Sequence, residues 1–183
     1  FEYCNGASYL LTAVLQKTMK STGLEFATEH LFNPLGITDI AWKANAQGIT
    51  IGYVGLYMRP RDMARFGYLY LKKGKWDNRQ IVPAHWVAES TRNLISVDTN
   101  TGYGYQWWVM SPDRYAAIGY SGQRIYILKD KDMVVVFTSM LQERKESLPY
   151  GILMGYILPA VKSDKPIKEN PEAYSRLKSL GDF

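Results

Sequence analysis

Ala117-Ile118-Gly119-Tyr120-Ser121-Gly122-Gln123 runs without a break into Arg124-Ile125-Tyr126-Ile127-Leu128. The polar run Lys129-Asp130-Lys131-Asp132 follows, then Met133-Val134-Val135-Val136-Phe137-Thr138-Ser139. Two runs rich in β-branched and aromatic residues flank four polar ones, which is the pattern of a hairpin closed by a tight turn. Working outward, residues 103–109 and 115–120 form two more short β-type runs. The β-type segments therefore lie together between residues 103 and 139, with helical patterns before and after them. That order predicts an α+β chain, an antiparallel sheet packed with helices, rather than alternating βαβ units.

The helical flanks can be read in some detail. Residues 5–20 predict a helix, with Asn5 as N-cap and Leu10, Leu11, Val14 and Leu15 on the face expected to be buried. Gly23 is its expected stop. A second helix over 25–32 should end before Asn33-Pro34, because the residue before proline disfavours helix. Residues 38–50 read as loop and 52–58 as a short extended or irregular segment. Pro60 suits the first position of a third helix, in which Met63, Phe66, Gly67, Tyr70 and Leu71 share one face. Gly74 stops that helix, and Trp76-Asp77-Asn78 reads as a turn. Pro83 opens another helix, with Trp86 and Val87 inward. Residues 148–162 return to an apolar helical pattern, 163–168 form a polar linker, and Asn170-Pro171-Glu172 opens a last helix that Gly181 ends.

Composition narrows the function classes. The chain has 183 residues, 46% of them hydrophobic, enough for a packed core. The 14 Tyr and 5 Trp suit clefts as well as cores, since each has an apolar body and a polar tip. The net charge of +5 is scattered, and no arginine-rich tract interleaves with aromatics, so nucleic acid is not an expected partner. Cys4 is the single cysteine, which excludes an internal disulfide framework and a multi-cysteine zinc site; a buried small residue is its expected role. No segment reaches the apolar length of a membrane span. No metal site and no cofactor is expected.

Five motifs recur in a telling order: Tyr3-Cys4-Asn5-Gly6, Asn33-Pro34-Leu35-Gly36, Arg61-Asp62-Met63-Ala64-Arg65-Phe66-Gly67, Tyr103-Gly104-Tyr105-Gln106-Trp107-Trp108, and the Ala117 to Gln123 stretch. Taken together, over roughly residues 1–160, they resemble the serine β-lactamase and penicillin-binding-protein-like hydrolases. Within that family they look like the class C-like branch, with its esterases, D-aminopeptidases and 6-aminohexanoate-dimer hydrolases. The resemblance implies a β-lactamase/transpeptidase-like fold of which this chain is an incomplete, C-terminal fragment. Residues 1–162 would be the C-terminal part of the hydrolase domain, and 163–183 a linker and short helix. The family's nucleophilic Ser-x-x-Lys lies upstream of its Tyr-x-Asn motif, so the missing N-terminal segment of the same protein is an expected partner. The fragment alone is expected to be inactive. A periplasmic or extracellular location is what the resemblance favours.

The resemblance also assigns roles. Tyr3 matches the tyrosine that acts as base with the lysine of Ser-x-x-Lys, and Asn5 matches the asparagine that holds the lysine or the substrate carbonyl. A phenol titrates near 10 in water, so it serves as a base only where nearby cations stabilise the phenolate. Gly119 matches the glycine of the Lys-Thr-Gly strand motif, and Tyr120 then gives its backbone N–H to the oxyanion. Ser121 and Trp108 are candidate substrate contacts, with Trp107 and Trp108 expected on opposite faces of the sheet. Ala117 and Ile118 stand where β-lactamases carry the Lys and Thr that bind the β-lactam carboxylate, which points to ester, amide or small-peptide substrates. Ser175-x-x-Lys178 matches Ser-x-x-Lys by spacing only, and His30 and His85 sit in no triad pattern. Arg61, Asp62 and Arg65 read as a solvated charged face. A non-catalytic binding or sensor protein on the same fold is the alternative.

Overall fold

The computed structural model describes residues 1–163 and 168–180. Its centre is a six-stranded antiparallel meander. The strands, named in chain order with two small pairs that precede them, are β1 (Ala41–Trp42), β2 (Leu56–Tyr57), β3 (Lys75–Trp76), β4 (Arg79–Gln80), β5 (Ile95–Ser96), β6 (Gly102–Tyr103), β7 (Trp108–Ser111), β8 (Arg114–Ile118), β9 (Arg124–Leu128) and β10 (Met133–Phe137). The large sheet runs β10-β9-β8-β7-β6-β5, while β1 pairs with β2 and β3 with β4. The hairpin expected at residues 129–132 forms, with Leu128 opposite Met133 and Asp132 in the left-handed region. Asp77 and Asn78 both have positive φ, at 45° and 61°, as a two-residue hairpin turn between β3 and β4 requires.

Helices cover both faces of the sheet. They are α1 (Asn5–Met19), α2 (Gly23–Ala27), α3 (Pro60–Leu71), α4 (Ala84–Ser90), α5 (Leu148–Ile152), α6 (Leu158–Ala160) and α7 (Pro171–Lys178). On one face Tyr70 and Leu71 of α3 and Val87 of α4 pack on Trp107, Val109, Tyr115, Ile125 and Ile127. Gly67 brings α3 close: a Cβ there would lie 2.6 Å from Val134 Cγ1 and 2.8 Å from Ile125 Cγ2. On the other face Ala116, Tyr126 and Leu128 meet Leu153, Ile157 and Leu158 of the C-terminal helical run. A third cluster, Phe32, Leu35, Ile37 and Leu69, joins the outer side of α3 to residues 24–40.

Several expectations are corrected. The run 103–109 is not one strand: a turn with Gln106 at φ 67° splits it into β6 and β7, so Tyr103 lies opposite Trp108. A Cβ at Gly104 would lie 2.2 Å from Ser90 O, which fixes the path of that turn. The first helix ends at Lys20, in the left-handed region, rather than at Gly23. Gly23 instead begins α2, behind a Thr22–Glu25 capping box. The helical path continues through a π turn and Asn33–Leu35 to Gly36, past the proline. Residues 41–42 and 56–57 pair, where loop was expected at the first of them. Trp86 is 43% exposed and stacks on Tyr105 at 5.3 Å, while Val87 is buried as expected. Asp62 is buried: its carboxylate accepts from Arg65 Nη1 at 3.0 Å, and the same nitrogen donates to Gly36 O at 2.7 Å, so this pair ties α3 to the preceding turn. The expected stop at Gly181 and most of the linker lie outside the described residues.

The largest correction concerns α1. Its polar stripe, not its apolar one, faces the rest of the chain. Ser8 Oγ donates to Gln106 Oε1 at 2.9 Å, Thr12 Oγ1 to Thr50 O at 2.8 Å, and Gln16 Nε2 to Gly48 O at 3.1 Å. Leu10, Leu11, Val14 and Met19 are left 63%, 60%, 62% and 49% exposed. Apolar surface gathered on one helix face drives association. The isolated chain is therefore expected to bind an apolar-surface dye and to sediment above its monomer mass. Leu10→Lys with Val14→Lys should lower both readings while leaving the helix content unchanged; equal dye binding in the double variant would show that the α1 stripe is not the exposed surface at work.

Candidate active site

The end of β8 turns sharply. Gly119 is extended (φ −106°), Tyr120 to Gly122 form one 3-10 turn, and Ser121 and Gly122 take φ of 56° and 88°. Gly122 is the position where glycine is required, because a Cβ would lie 2.3 Å from Ser139 Oγ in a backbone region that favours glycine. Gly119 has ordinary φ, and a Cβ there would meet Gln123 Cβ at 3.2 Å. Gly119, Tyr120 and Ser121, three of the candidate residues, thus occupy a single turn. Tyr120 stands out from it at 82% exposure, and among the described residues no acceptor is placed on its N–H.

Residues 139–146 hold this turn. Ser121 N–H donates to Glu146 Oε1 at 2.8 Å, and Ser121 O accepts from Ser139 Oγ at 2.9 Å and Leu141 N at 3.0 Å. The Gln123 amide donates to Ser139 O, and Gln123 Oε1 accepts from Ser139 N at 3.4 Å. Beneath lies Arg124, only 5% exposed. Its Nη1 donates to Gly119 O and, at 2.9 Å, to Gln123 O; its Nη2 donates to Glu146 O at 3.0 Å and lies 3.7 Å from the Glu146 carboxylate. A buried guanidinium is tolerated because these partners take up its donors.

Tyr3 lies over β6 and β7. Its ring stacks on Trp108 (centroids 6.0 Å apart, 24° between planes) and meets Tyr103 edge-on at 6.3 Å; Phe1 packs on the same two rings. Burial, and then the neighbouring Tyr3 phenol, push Tyr103 up to about 12, so Tyr103 is a protonated phenol at neutral pH. Trp107 and Trp108 do point to opposite faces: Trp107 is buried against Phe66, Tyr70 and Tyr115, while Trp108 is half-buried on the Tyr3 side. Trp108 pairs with Ala116, three residues or roughly 10 Å of strand from Gly119. The structure brings Tyr3 and Trp108 together and gathers Gly119, Tyr120 and Ser121; among the described residues no hydrogen bond joins the two groups. Asn5 is exposed at the first position of α1, and the N-cap is Cys4, with no side-chain cap bond. Cys4 is exposed, not buried: it sits in the extended lead-in to α1 as its N-cap.

Beside these residues the sheet face is open. A cavity of about 1350 Å³ is bounded by Trp108, Met110, Ile118, Arg124, Tyr126 and Tyr150. Ile118 faces it, whereas Ala117 packs into the core under α3. Ser139 and Glu146 lie outside the motif reading, which held Gln123 only as the end of the Ala117 to Gln123 stretch and left the direction of Arg124 open. The signal available in the sequence was a charged residue inside an otherwise apolar strand. The decoys stay apart: Ser175 and Lys178 are exposed on α7, His85 is exposed on α4, and His30 lies against Phe26 and 3.9 Å from Glu29. Among the described residues no group of three or more His, Cys, Asp or Glu could hold a metal, and no helix is long and apolar enough to cross a membrane.

A mixed fold of this kind, with a six-stranded antiparallel sheet between helices and a clamped turn at the end of β8, is the β-lactamase/transpeptidase-like one. The beta-lactamase family profile matches residues 1–152, and the chain belongs to that family. A curated relative, the 6-aminohexanoate-dimer hydrolase of Paenarthrobacter ureafaciens, is 22% identical over 171 residues, covering 86% of this chain and 44% of its own length. A solved Bacillus anthracis structure provisionally assigned as a 6-aminohexanoate-dimer hydrolase superposes with a TM-score of 0.78 at 22% identity, over 89% of this chain and 45% of that one. A Bacillus halodurans penicillin-binding protein gives 0.67 at 14% identity, over 85% and 56%. The chain spans about half the length of these relatives.

Proposed function

We propose that this chain is the C-terminal part of a serine hydrolase that cleaves ester or amide bonds through an acyl-enzyme, with a Ser-x-x-Lys nucleophile on a segment upstream of Phe1. The observation that carries the reading is the turn at the end of β8: a fixed backbone turn in which Tyr120 is exposed and its N–H has no acceptor among the described residues. Such a donor, held rigid before the reaction, is what a developing oxyanion needs. In this reading the serine Oγ attacks the substrate carbonyl while the Tyr3 side-chain oxygen, acting with the lysine, takes its proton, and the carbonyl oxygen accepts from Tyr120 N–H. The C–O or C–N bond breaks and the leaving group takes the proton back; water then attacks the acyl carbon, its proton passes to the serine Oγ as the acyl–Oγ bond breaks, and the acid leaves. Asn5 holds the lysine or the substrate carbonyl, and Trp108, with Gly119 and Ser121, borders the substrate. Hydrolases of an amino-acid dimer among the relatives support a small linear amide or ester as substrate.

The test is covalent labelling of the longer protein by a fluorophosphonate. Labelling of one serine, with hydrolysis of p-nitrophenyl acetate, is expected. A folded protein that carries Ser-x-x-Lys yet takes no label would turn the reading toward a binding or sensor role.

A further inference from the structure

We infer that Arg124 and Glu146 act as a pair of positioning residues that set the direction of the Tyr120 N–H; this rests on the oxyanion role proposed for Tyr120. A turn with two consecutive residues at positive φ does not hold its shape unaided, least of all when Ser121, which is not glycine, is one of them. Tyr120 cannot be its own anchor, since its side chain is in solvent. The restraints lie on either side of it. Before Tyr120, the Gly119 carbonyl accepts from Arg124 Nη1. That carbonyl and the Tyr120 N–H belong to one planar peptide unit, so fixing the oxygen fixes the N–H on the opposite edge. After Tyr120, the Ser121 N–H is held by Glu146 Oε1. Glu146 is in turn bound to Arg124 through its backbone oxygen and its carboxylate.

The arrangement has a specific chemical consequence. Arg124 borders the open cavity and would look like a cation available to an anionic substrate. Its donors are instead turned on Gly119, Gln123 and Glu146, and its side chain is 5% exposed. It acts on the reaction through the peptide unit that carries the oxyanion donor, and substrate does not touch it. Loosening that unit affects the transition state more than the bound substrate, so turnover should fall while KM stays.

The experiment uses the longer protein with Arg124→Met, Arg124→Lys, Glu146→Gln and the double variant Arg124→Met with Glu146→Leu. The double variant removes both charges, so that the partly buried Glu146 carboxylate is not left without its cation. Arg124→Met and the double variant are expected to lose kcat about tenfold to a hundredfold on p-nitrophenyl acetate, a part of what deleting an oxyanion donor costs. KM should stay within about twofold. Glu146→Gln should lose least, because its amide oxygen can still accept from Ser121 N–H. Backbone amides of residues 119–123 should exchange faster in Arg124→Met, with the rest of the sheet unchanged. An unchanged kcat in folded Arg124→Met or in the double variant overturns the inference. So does a raised KM at constant kcat, which would make Arg124 a substrate contact. If the wild-type protein takes no phosphonate label, the hydrolase reading itself falls; exchange at 119–123 then decides the clamp separately, and unchanged exchange in Arg124→Met overturns it.

Discussion

Tyr3→Phe is expected to lower kcat/KM of the longer protein on p-nitrophenyl acetate by roughly a hundredfold or more, the size of a general-base contribution. The substitution is unusually clean at this site. Phe keeps the ring that stacks on Trp108 and meets Tyr103 edge-on, and only the hydroxyl is lost. Aromatic pairs of this kind are worth about 0.5–1.5 kcal/mol beyond the area they bury, and all of that is retained. Thermal stability should therefore stay within a degree or two of wild type while turnover collapses. Tyr3→Ala supplies the contrast, since it removes the proposed base and the stack together and should cost both turnover and stability. The neighbouring phenol cannot substitute, because burial holds Tyr103 up near 12 and neutral under assay conditions. Comparable rates for wild type and Tyr3→Phe would show that Tyr3 only packs over β6 and β7, and the base would have to be sought on another segment.

How much of this was legible in the residues depends on how local the cause was. The hairpin at 129–132, the start of α3 at Pro60 and the opposed directions of Trp107 and Trp108 follow from turn chemistry, fixed φ and strand alternation, which act over a few residues. The direction of α1 was not legible. Its Leu10, Leu11 and Val14 stripe marks a face that wants burial, but periodicity cannot say against what, and here the chain meets α1 through Ser8, Thr12 and Gln16. The split of residues 103–109 depended on Gly104 lying against the Ser90 carbonyl, a contact with another element. At the candidate site the motif drew attention to Gly119, yet Gly122 is the glycine that its surroundings demand. The clamp was missed for the same reason: Arg124, Ser139 and Glu146 converge only once β9, β10 and the following turn are folded.

Those directions also reshape the expected substrate preference. Esters should be hydrolysed with a specificity constant roughly ten- to a hundredfold above that for a β-lactam such as nitrocefin. A β-lactam carries a carboxylate, and a charge-assisted hydrogen bond to it is worth about 1.5–3 kcal/mol, which is one to two powers of ten. The resemblance places that partner at 117–118, where this chain has two apolar residues. Ala117 packs into the core under α3, so a cation there would be aimed away from the cavity. Ile118 faces the cavity and is 39% exposed. Arg124 is near in sequence, but its donors are on Gly119, Gln123 and Glu146. Arg114, at the far end of β8, is paired with Asp130, so neither arginine of β8 and the start of β9 is turned toward a bound carboxylate. The comparison is nitrocefin against p-nitrophenyl acetate on the longer protein, then on Ile118→Lys, which should raise nitrocefin turnover and leave the ester rate within a fewfold. Efficient nitrocefin hydrolysis by the unmodified protein would place the anion-binding cation on a different element and overturn this account of its substrates.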